Sequence, residues 1–344
     1  MTAAEVGPAA GPAGSPGSLV GRAPSPAPER LLADLVPPRH FATERFETYR
    51  PDPEHPSQVA ALHRLREVAQ AVTAPRALPR FRRRPPSRPA VYLDGGFGVG
   101  KTHLLASLAH AVGTQRTAYG TFVEFTNLVG ALGFALTVEA LAQHALVCVD
   151  EFELDDPGDT LLMARLVREL SDRGVGLAAT SNTLPESLGQ GRFAAEDFLR
   201  EIQGLAERFE VLRIDGPDYR HRHAVTDRPG LADDEVRMAV AGRADATLDD
   251  FGQLLDHLAA VHPSRYGALL DGVRLVALTG VGPVPTQDVA LRLVVLVDRL
   301  YDRDVPVLLG GAGERGLFPE EMLAGGYRKK YYRALSRLGA LVAR

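Results

Sequence analysis

The sequence predicts an α/β fold in which a mostly parallel sheet is flanked by helices on both faces. Short apolar runs of strand length alternate with longer segments of helical periodicity between residues 91 and 215. Strands that are buried on both faces read as continuous apolar runs, and these runs fit that description. A smaller α/β region is predicted after them, and a chain of 344 residues, of which 45% are hydrophobic, has room for both cores.

The order of the predicted elements determines where functional residues are expected. Strands are predicted near residues 91–94, 117–124, 145–149, 176–180 and 210–214, and helices at 101–112, 127–143, 160–173, 196–207, 287–303 and 329–342. The carboxyl ends of parallel strands meet at one edge of a sheet, and ligands bind at that edge in folds of this class. Functional residues are therefore expected directly after the central strands.

The regions outside the central sheet have different compositions. Residues 1–29 are almost entirely Ala, Pro, Gly and Ser, which predicts a disordered tail. Residues 30–90 are predicted to form an N-terminal helical segment followed by an Arg/Pro-rich linker. The central α/β domain is predicted over residues 91–225 and the C-terminal region over residues 226–344.

The first predicted strand leads into a glycine-rich motif. The motif consists of Gly95, Gly96, Phe97, Gly98, Val99, Gly100, Lys101 and Thr102, and His103 follows it. The pattern G-x4-G-K-T between a strand and a helix is that of a phosphate-binding P-loop, whose backbone N–H groups and helix N-terminus face phosphate oxygens. Lys101 is one of only three lysines among 39 basic residues, and it is expected to contact the β- and γ-phosphates. The sequence thus predicts that residues 95–103 bind a nucleoside triphosphate, ATP, with Thr102 holding Mg²⁺.

A pair of acidic residues ends the third predicted strand. Asp150 and Glu151 directly follow the apolar run 145–149. Asp150 is expected to complete the Mg²⁺ site opposite Thr102, and Glu151 to accept a proton from an attacking water. The alternative is a solvated acidic turn, because further acidic residues follow at positions 153, 155 and 156.

The fourth predicted strand ends in small polar residues. Asn182 is expected to hydrogen-bond the attacking water or the γ-phosphate, and a turn-forming asparagine is the alternative. Three strand-end motifs in this order are typical of P-loop NTPases of the additional-strand, AAA+ type. Such ATPases assemble as homo-oligomers in which an arginine of one subunit completes the site of its neighbour. Arg192 is the first candidate for that arginine, ahead of Arg200 and Arg208, and a surface or ion-pair role is the alternative for each.

Composition restricts the environment of the protein. The single cysteine, Cys148, lies in an apolar run and fits a buried thiol in a reducing compartment. No apolar run approaches the length of a membrane span, and no secretory signal is recognised, so a cytoplasmic protein is expected. The arginine-rich stretch 76–88 is either a solvated linker or a contact for nucleic acid or an acidic protein. A net charge of −4 disfavours nucleic-acid binding driven by the whole chain.

Several segments resemble one family. Residues 148–156, 179–188 and 214–220 match its C-F-D-E-F-Q-V-x-D, A-T-S-N-x-x-P-x-x-L and D-G-x-D-Y-R patterns. The segments 49–58, 296–303 and 333–338 resemble its Y-x-P-D-x-x-Q, L-V-D-E-x-Y-D-R and R-T-L-S-R-L patterns. These motifs together resemble the ZapE cell-division ATPases of bacteria, which are related to mitochondrial Afg-type ATPases.

The resemblance implies a Mg²⁺-dependent ATPase that acts in cell division. Its implied partner is FtsZ or another division-site protein, since ZapE proteins associate with the FtsZ ring and weaken FtsZ bundles. Two other functions remain open from the sequence. One is a DnaC- or IstB-like helicase loader that acts on nucleic acid, and the other is a nucleotide-dependent scaffold without catalysis.

Overall fold

The computed structural model describes residues 15–25, 27–75, 88–96, 98–152, 157–184, 203–204, 206–217 and 229–342. The chain forms two compact units. The first unit consists of residues 27–222, and the second unit consists of residues 1–26 together with residues 223–344. The N-terminal helical segment, predicted as a separate region, belongs to the same unit as the central sheet.

The first unit is built on a five-stranded parallel sheet with the order β2-β3-β4-β1-β5. Its strands are β1 (Ala90–Gly95), β2 (Thr117–Thr121), β3 (Leu146–Asp150), β4 (Gly176–Ser181) and β5 (Glu210–Ile214). Every residue of β3 and β4 is buried, as expected for central strands covered on both faces. The predicted α/β fold, with a parallel sheet flanked by helices, is confirmed.

The helices of the first unit differ in two places from the prediction. They are α1 (Pro28–Ala33), α2 (Pro56–Thr73), α3 (Lys101–Val112), α4 (Phe122–Leu132), α5 (Phe134–Leu141) and α6 (Pro157–Asp172). The strand predicted to reach residue 124 ends at Thr121, because Thr121 and Glu124 form a capping box that starts α4. The single helix predicted over 127–143 is broken at Gly133, whose φ is +81°. Most of the helix predicted at 196–207 lies outside the described residues.

Two hydrophobic cores lie on opposite faces of this sheet, because consecutive strand residues point to opposite sides. Tyr92 of β1 lies in one core with Phe125 of α4 and Leu166 of α6. Leu93, the next residue, lies in the other core with Leu104 of α3 and residues of α2. This packing fixes α3, and with it the glycine-rich turn, against the end of β1.

The second unit is a smaller α/β structure. Its parallel sheet has the order β6-β7-β8, with β6 (Ala246–Asp250), β7 (Leu275–Thr279) and β8 (Val307–Leu309). Its helices are α7 (Asp233–Val240), α8 (Phe251–Ala260), α9 (Tyr266–Leu269), α10 (Gln287–Asp302), α11 (Glu320–Ala324) and α12 (Arg328–Leu341). The helices predicted at 287–303 and 329–342 correspond to α10 and α12 within one residue at each end. Strand β6 was not predicted.

The predicted disordered tail over residues 1–29 is wrong for residues 15–25. Gly17 forms a parallel bridge with Thr247 of β6, and Leu19 is 0% exposed. The composition conceals this contact, because a single apolar pair, Leu19 and Val20, lies among small residues and prolines. Residues 1–14 lie outside the described part of the chain.

The Arg/Pro-rich linker is described only at its end. Residues 76–87 lie outside the described residues. The guanidinium of Arg88 donates a hydrogen bond to the carbonyl of Ala145 at 2.8 Å, so this last arginine contacts the first unit. In the part of the chain that the structure describes, no helix has the length and hydropathy needed to cross a membrane.

Candidate nucleotide-binding site

The glycine-rich turn joins the end of β1 to the start of α3. Gly98 and Gly100 have φ angles of +70° and +90°, in the region that favours glycine. A Cβ on Gly95 would lie 2.3 Å from the carbonyl oxygen of Ile214 on β5, so only glycine fits there. Phe97 lies outside the described residues. The predicted P-loop motif therefore forms a tight turn ahead of a helix N-terminus, which is the structure an anionic phosphate needs.

Lys101 lies over this turn. Its ammonium donates hydrogen bonds to the carbonyls of Gly95 at 2.9 Å and Gly96 at 2.5 Å, and to the side-chain oxygen of Asn182 at 2.8 Å. The lysine is only 8% exposed. Asn182 reaches it because β4 pairs with β1. The structure thus brings the predicted lysine and asparagine together at the carboxyl edge of the sheet.

Asp150 is held by three hydroxyl groups. Its carboxylate accepts hydrogen bonds from Thr102 at 3.3 Å, from the Tyr119 hydroxyl at 3.0 Å, and from Thr180. Burial raises the pKa of Asp150 above its ordinary value, and the nearby carboxylate of Glu151 raises it further. The Thr102 hydroxyl beside the Asp150 carboxylate supplies the oxygen donors that Mg²⁺ prefers, so this pair fits the predicted metal.

Glu151 has an unusual backbone conformation. Its φ is +54°, a region that a residue with a side chain occupies at a cost of order 1 kcal/mol. The backbone N–H of Glu151 donates to Asp150 Oδ1 at 3.2 Å and to Thr180 Oγ1 at 3.0 Å. These two hydrogen bonds hold the strained residue, whose side chain is only partly buried. Residues 153–156 lie outside the described part of the chain.

A tyrosine that the sequence reasoning did not assign to the site supports the glycine-rich turn. The Tyr49 hydroxyl donates to the carbonyl of Val99 at 3.1 Å. A Cβ on Gly100 would lie 2.6 Å from the Tyr49 ring, so the ring occupies the space that this glycine leaves. The available signal was the Tyr-x-Pro-Asp segment, which carried the family resemblance but suggested no contact with the P-loop.

His103, predicted to contribute to cofactor binding, has its side chain directed to the same N-terminal segment. The ring nitrogen Nε2 lies 3.0 Å from Thr48 Oγ1, 3.2 Å from the carbonyl of Arg45 and 3.3 Å from a carboxylate oxygen of Glu44. The imidazole also packs edge-to-face on Tyr49 at 5.4 Å between ring centres. The side chain of His103 is thus engaged by residues 44–49, and the predicted phosphate contact would have to come from its backbone in the first turn of α3.

Gln58 and Ser57 connect the start of α2 to the end of β5. The Gln58 amide accepts from the backbone of Asp52 at 2.8 Å and donates to the carbonyl of Asp215 at 2.9 Å. Ser57 Oγ accepts from the Asp215 backbone at 2.9 Å. The N-terminal segment is therefore fixed at both sides of the glycine-rich turn.

A cavity of about 370 Å³ opens at the carboxyl ends of β1, β4 and β5. Its lining is formed by Asp94, Gly95, Gly96, Asn182, Leu184, Arg213, Ile214, Asp215 and Gly216. The volume lies in the range of small-molecule sites.

Arg192, the predicted subunit-bridging arginine, lies outside the described residues, so its predicted role rests on the sequence alone.

Comparisons with known proteins place the chain in a family. The family model described as AFG1-like ATPase matches residues 25–233 and 225–344. Cell division protein ZapE of Escherichia coli K12 is 30% identical over 143 residues, which cover 38% of each protein. Lactation elevated protein 1 homolog B of Danio rerio is 32% identical over 90 residues, which cover 26% of this chain and 18% of that protein.

Among solved structures, AMPPCP-bound DnaA from Aquifex aeolicus is 15% identical, with a TM-score of 0.38 and coverage of 50% of both chains. The chain spans less than two fifths of the length of the two curated relatives, ZapE and lactation elevated protein 1 homolog B. The family model, by contrast, extends over both units and includes the P-loop, the acidic pair and Asn182. The chain belongs to the AFG1-like ATPase family.

Proposed function

We propose that the protein hydrolyses ATP, with Mg²⁺, at the carboxyl edge of the five-stranded sheet. One observation carries the proposal, namely that Lys101, Asn182 and the Thr102–Asp150 pair lie together at the ends of adjacent strands. Glu151 follows Asp150 directly, in a conformation held by two hydrogen bonds. This set of side chains favours hydrolysis over transfer to a second substrate, since Glu151 supplies a carboxylate that would activate water.

Each residue has a separate role in this proposal. ATP supplies the γ-phosphoryl group, and Mg²⁺ neutralises charge on its oxygens. Thr102 and Asp150 would hold the metal, and Lys101 the β- and γ-phosphates. Glu151 accepts a proton from the attacking water at its carboxylate, and Asn182 orients that water or the γ-phosphate.

The hydrolytic role is tested by replacing Glu151 with Gln. This variant should bind ATP with an affinity within a few fold of the parent and hydrolyse it at least about 100-fold more slowly, the size of a general-base effect. Glu139→Gln, an exposed glutamate on α5, is the matched control and should hydrolyse ATP at the parent rate. Parent-like turnover by Glu151→Gln would overturn the assignment of a hydrolytic site.

The proposed client is a division-site protein, with FtsZ as the specific expectation. The identity with the Escherichia coli cell division protein supports this choice, as does the resemblance of the motifs at the ends of β3, β4 and β5. Purified protein with ATP should shorten or unbundle FtsZ polymers in a sedimentation assay, and Lys101→Ala protein should not. Stimulation of the ATPase by single-stranded DNA, with no effect on FtsZ, would replace this client with nucleic acid.

A further inference from the structure

The outer edge of β6 is bridged by a segment near the N-terminus of the chain. The backbone N–H of Gly17 donates to the carbonyl of Ala246 at 2.8 Å, and that of Leu248 donates to the carbonyl of Gly17 at 2.9 Å. Gly17 therefore forms a parallel bridge with Thr247, at the end of the order β6-β7-β8. An exposed sheet edge that accepts an extended segment in this way is a recognised mode of peptide binding.

Leu19 anchors this segment. Its side chain is 0% exposed and belongs to the same buried cluster as Leu254 of α8, Tyr266 of α9 and Leu296 of α10. The second unit therefore contains a pocket for one aliphatic side chain beside the strand edge.

Asp249 recognises the backbone around this leucine. Its carboxylate accepts hydrogen bonds from the Ser18 hydroxyl, from the Leu19 N–H at 3.0 Å and from the Val20 N–H at 3.2 Å. The aspartate is 4% exposed, so these donors compensate a buried charge. A peptide without two free N–H groups at these positions would leave the carboxylate without its partners.

An arginine closes the segment after a turn. Gly21 has a φ of +82°, and the Arg22 guanidinium returns to the carbonyl of Ser18 at 2.8 Å. The same guanidinium donates to the carbonyl of Leu269 at 2.7 Å, and His257 Nε2 lies 3.0 Å from the Arg22 carbonyl. The contacts thus engage five of the six residues 17–22, and the turn at Gly21 sets the spacing between Val20 and Arg22.

We propose that the β6 edge, the Leu19 pocket and Asp249 form a binding site for a Gly-Ser-Leu-Val-Gly-Arg peptide, which pairs with β6 at its first residue and turns over its last four, and which residues 17–22 of the same chain fill. The proposal does not depend on ATP hydrolysis, because every contact lies in the second unit. A ligand tethered to its own site reaches an effective concentration in the mM range. The attached segment therefore fills the site, and a free peptide of the same sequence binds only after that segment has been displaced.

The test uses a fluorescein-labelled synthetic peptide of residues 15–25 and the full chain with Leu19→Asp. This substitution places a charge in the apolar pocket and should expel the attached segment. Fluorescence anisotropy should show the peptide binding to the variant at least about 10-fold more tightly than to the parent chain, whose site is filled. A peptide carrying Leu19→Asp should not bind, and adding Asp249→Ala to the variant should weaken peptide binding at least about 10-fold.

Two results would overturn the proposal. One is equal peptide binding to the parent chain and to Leu19→Asp, and the other is no binding to a Leu19→Asp chain that keeps the circular dichroism spectrum of the parent. If the Leu19→Asp variant fails to fold, the proposal is tested instead by amide hydrogen exchange of the parent chain. The backbone amides of Leu19 and Val20 should then be protected as strongly as that of Leu248, and random-coil exchange at these two amides would refute the site.

Discussion

The ammonium group of Lys101 lies 2.8 Å from the side-chain oxygen of Asn182, so the glycine-rich turn and the end of β4 meet in one hydrogen bond. The two residues are 81 positions apart in sequence and become neighbours only because β1 and β4 are paired. The same lysine also binds two carbonyls of the turn. Phosphate oxygens that reach Lys101 therefore enter a position already connected to Asn182.

Replacing each partner of this hydrogen bond should separate binding from turnover. Lys101→Ala should abolish detectable ATP binding in isothermal titration calorimetry, because it removes the positive charge opposite the β- and γ-phosphates. Asn182→Ala should retain ATP binding and lower turnover by about 100-fold, as for the loss of one oriented polar group. Lys330→Ala, which removes a lysine of the second unit, is the control and should bind ATP like the parent. Full ATP affinity in Lys101→Ala would contradict this prediction.

Tyr49 should be needed for its ring more than for its hydroxyl. Tyr49→Phe removes only the hydrogen bond to Val99, with an expected cost of about 1 kcal/mol, or about a fivefold loss of ATP affinity at most. Tyr49→Ala also removes the ring that packs on Gly100, and the loss should be at least tenfold larger than for Tyr49→Phe. Equal ATP affinities of the Phe and Ala variants in calorimetry would show that the ring does not support the turn.

The predicted role of Arg192 is tested by mixing two inactive variants. If Arg192 completes the site of a neighbouring subunit, Arg192→Ala should preserve ATP affinity and lower turnover by about 10³-fold. Mixing it with Lys101→Ala should restore part of the activity, since some interfaces then combine an intact P-loop with an intact arginine. No rescue, together with a monomer at every concentration in ATP, would contradict a site shared between subunits.

Asp298 should make the second unit sensitive to acid. It lies on α10, where Arg333 and Arg337 of α12 approach its carboxylate at 2.9 Å and 2.5 Å. Burial alone would raise the pKa of Asp298, but these arginines together with Arg299 lower it below its ordinary value. Because the pKa of Asp298 is lower in the folded chain than in the unfolded chain, its ionised form stabilises the fold at pH values above the unfolded pKa of about 4. This stabilisation is lost as the pH falls below the unfolded pKa and through the folded pKa.

The measurement is the thermal midpoint of Asp298→Asn and of the parent chain at pH 7 and at pH 3. The variant should be less stable by about 3 kcal/mol at pH 7, because the arginines then face a neutral amide in place of the buried carboxylate. The difference should shrink at pH 3. Asp245→Asn, which removes an exposed partner of Arg243, should leave the midpoint nearly unchanged at pH 7. An equal loss of stability at both pH values would contradict the ion-pair explanation.

Local patterns explain how much of the candidate site the sequence predicted. The P-loop and the acidic pair are contiguous motifs, so Lys101, Thr102, Asp150 and Glu151 were identifiable without a structure. The contact of Tyr49 with Val99 joins residues 50 positions apart, and nothing in the composition of either segment indicates it. Long-range contacts of single side chains are therefore visible only in the folded structure.

The second unit was predicted less completely for a related reason. Strand β6 has the sequence Ala-Thr-Leu-Asp-Asp, whose two aspartates argue against a buried strand. Asp249 is nevertheless buried, because its hydrogen-bond donors come from residues 18–20, about 230 positions earlier in the chain. The order of the tail was missed because its contacts lie on β6, and the burial of Asp249 in β6 was missed because its hydrogen-bond donors lie in the tail.

The docked N-terminal segment also sets an order of events during synthesis. Residues 17–22 bind a strand that is synthesised about 230 residues later. At a synthesis rate of about 5–20 residues per second, the strand becomes available about 10 to 50 s after the segment. The whole first unit is synthesised during this interval, so that unit is, in covalent terms, an insertion within the second. Residues 17–22 are therefore among the first described residues to be synthesised and among the last to form their contacts in the folded protein.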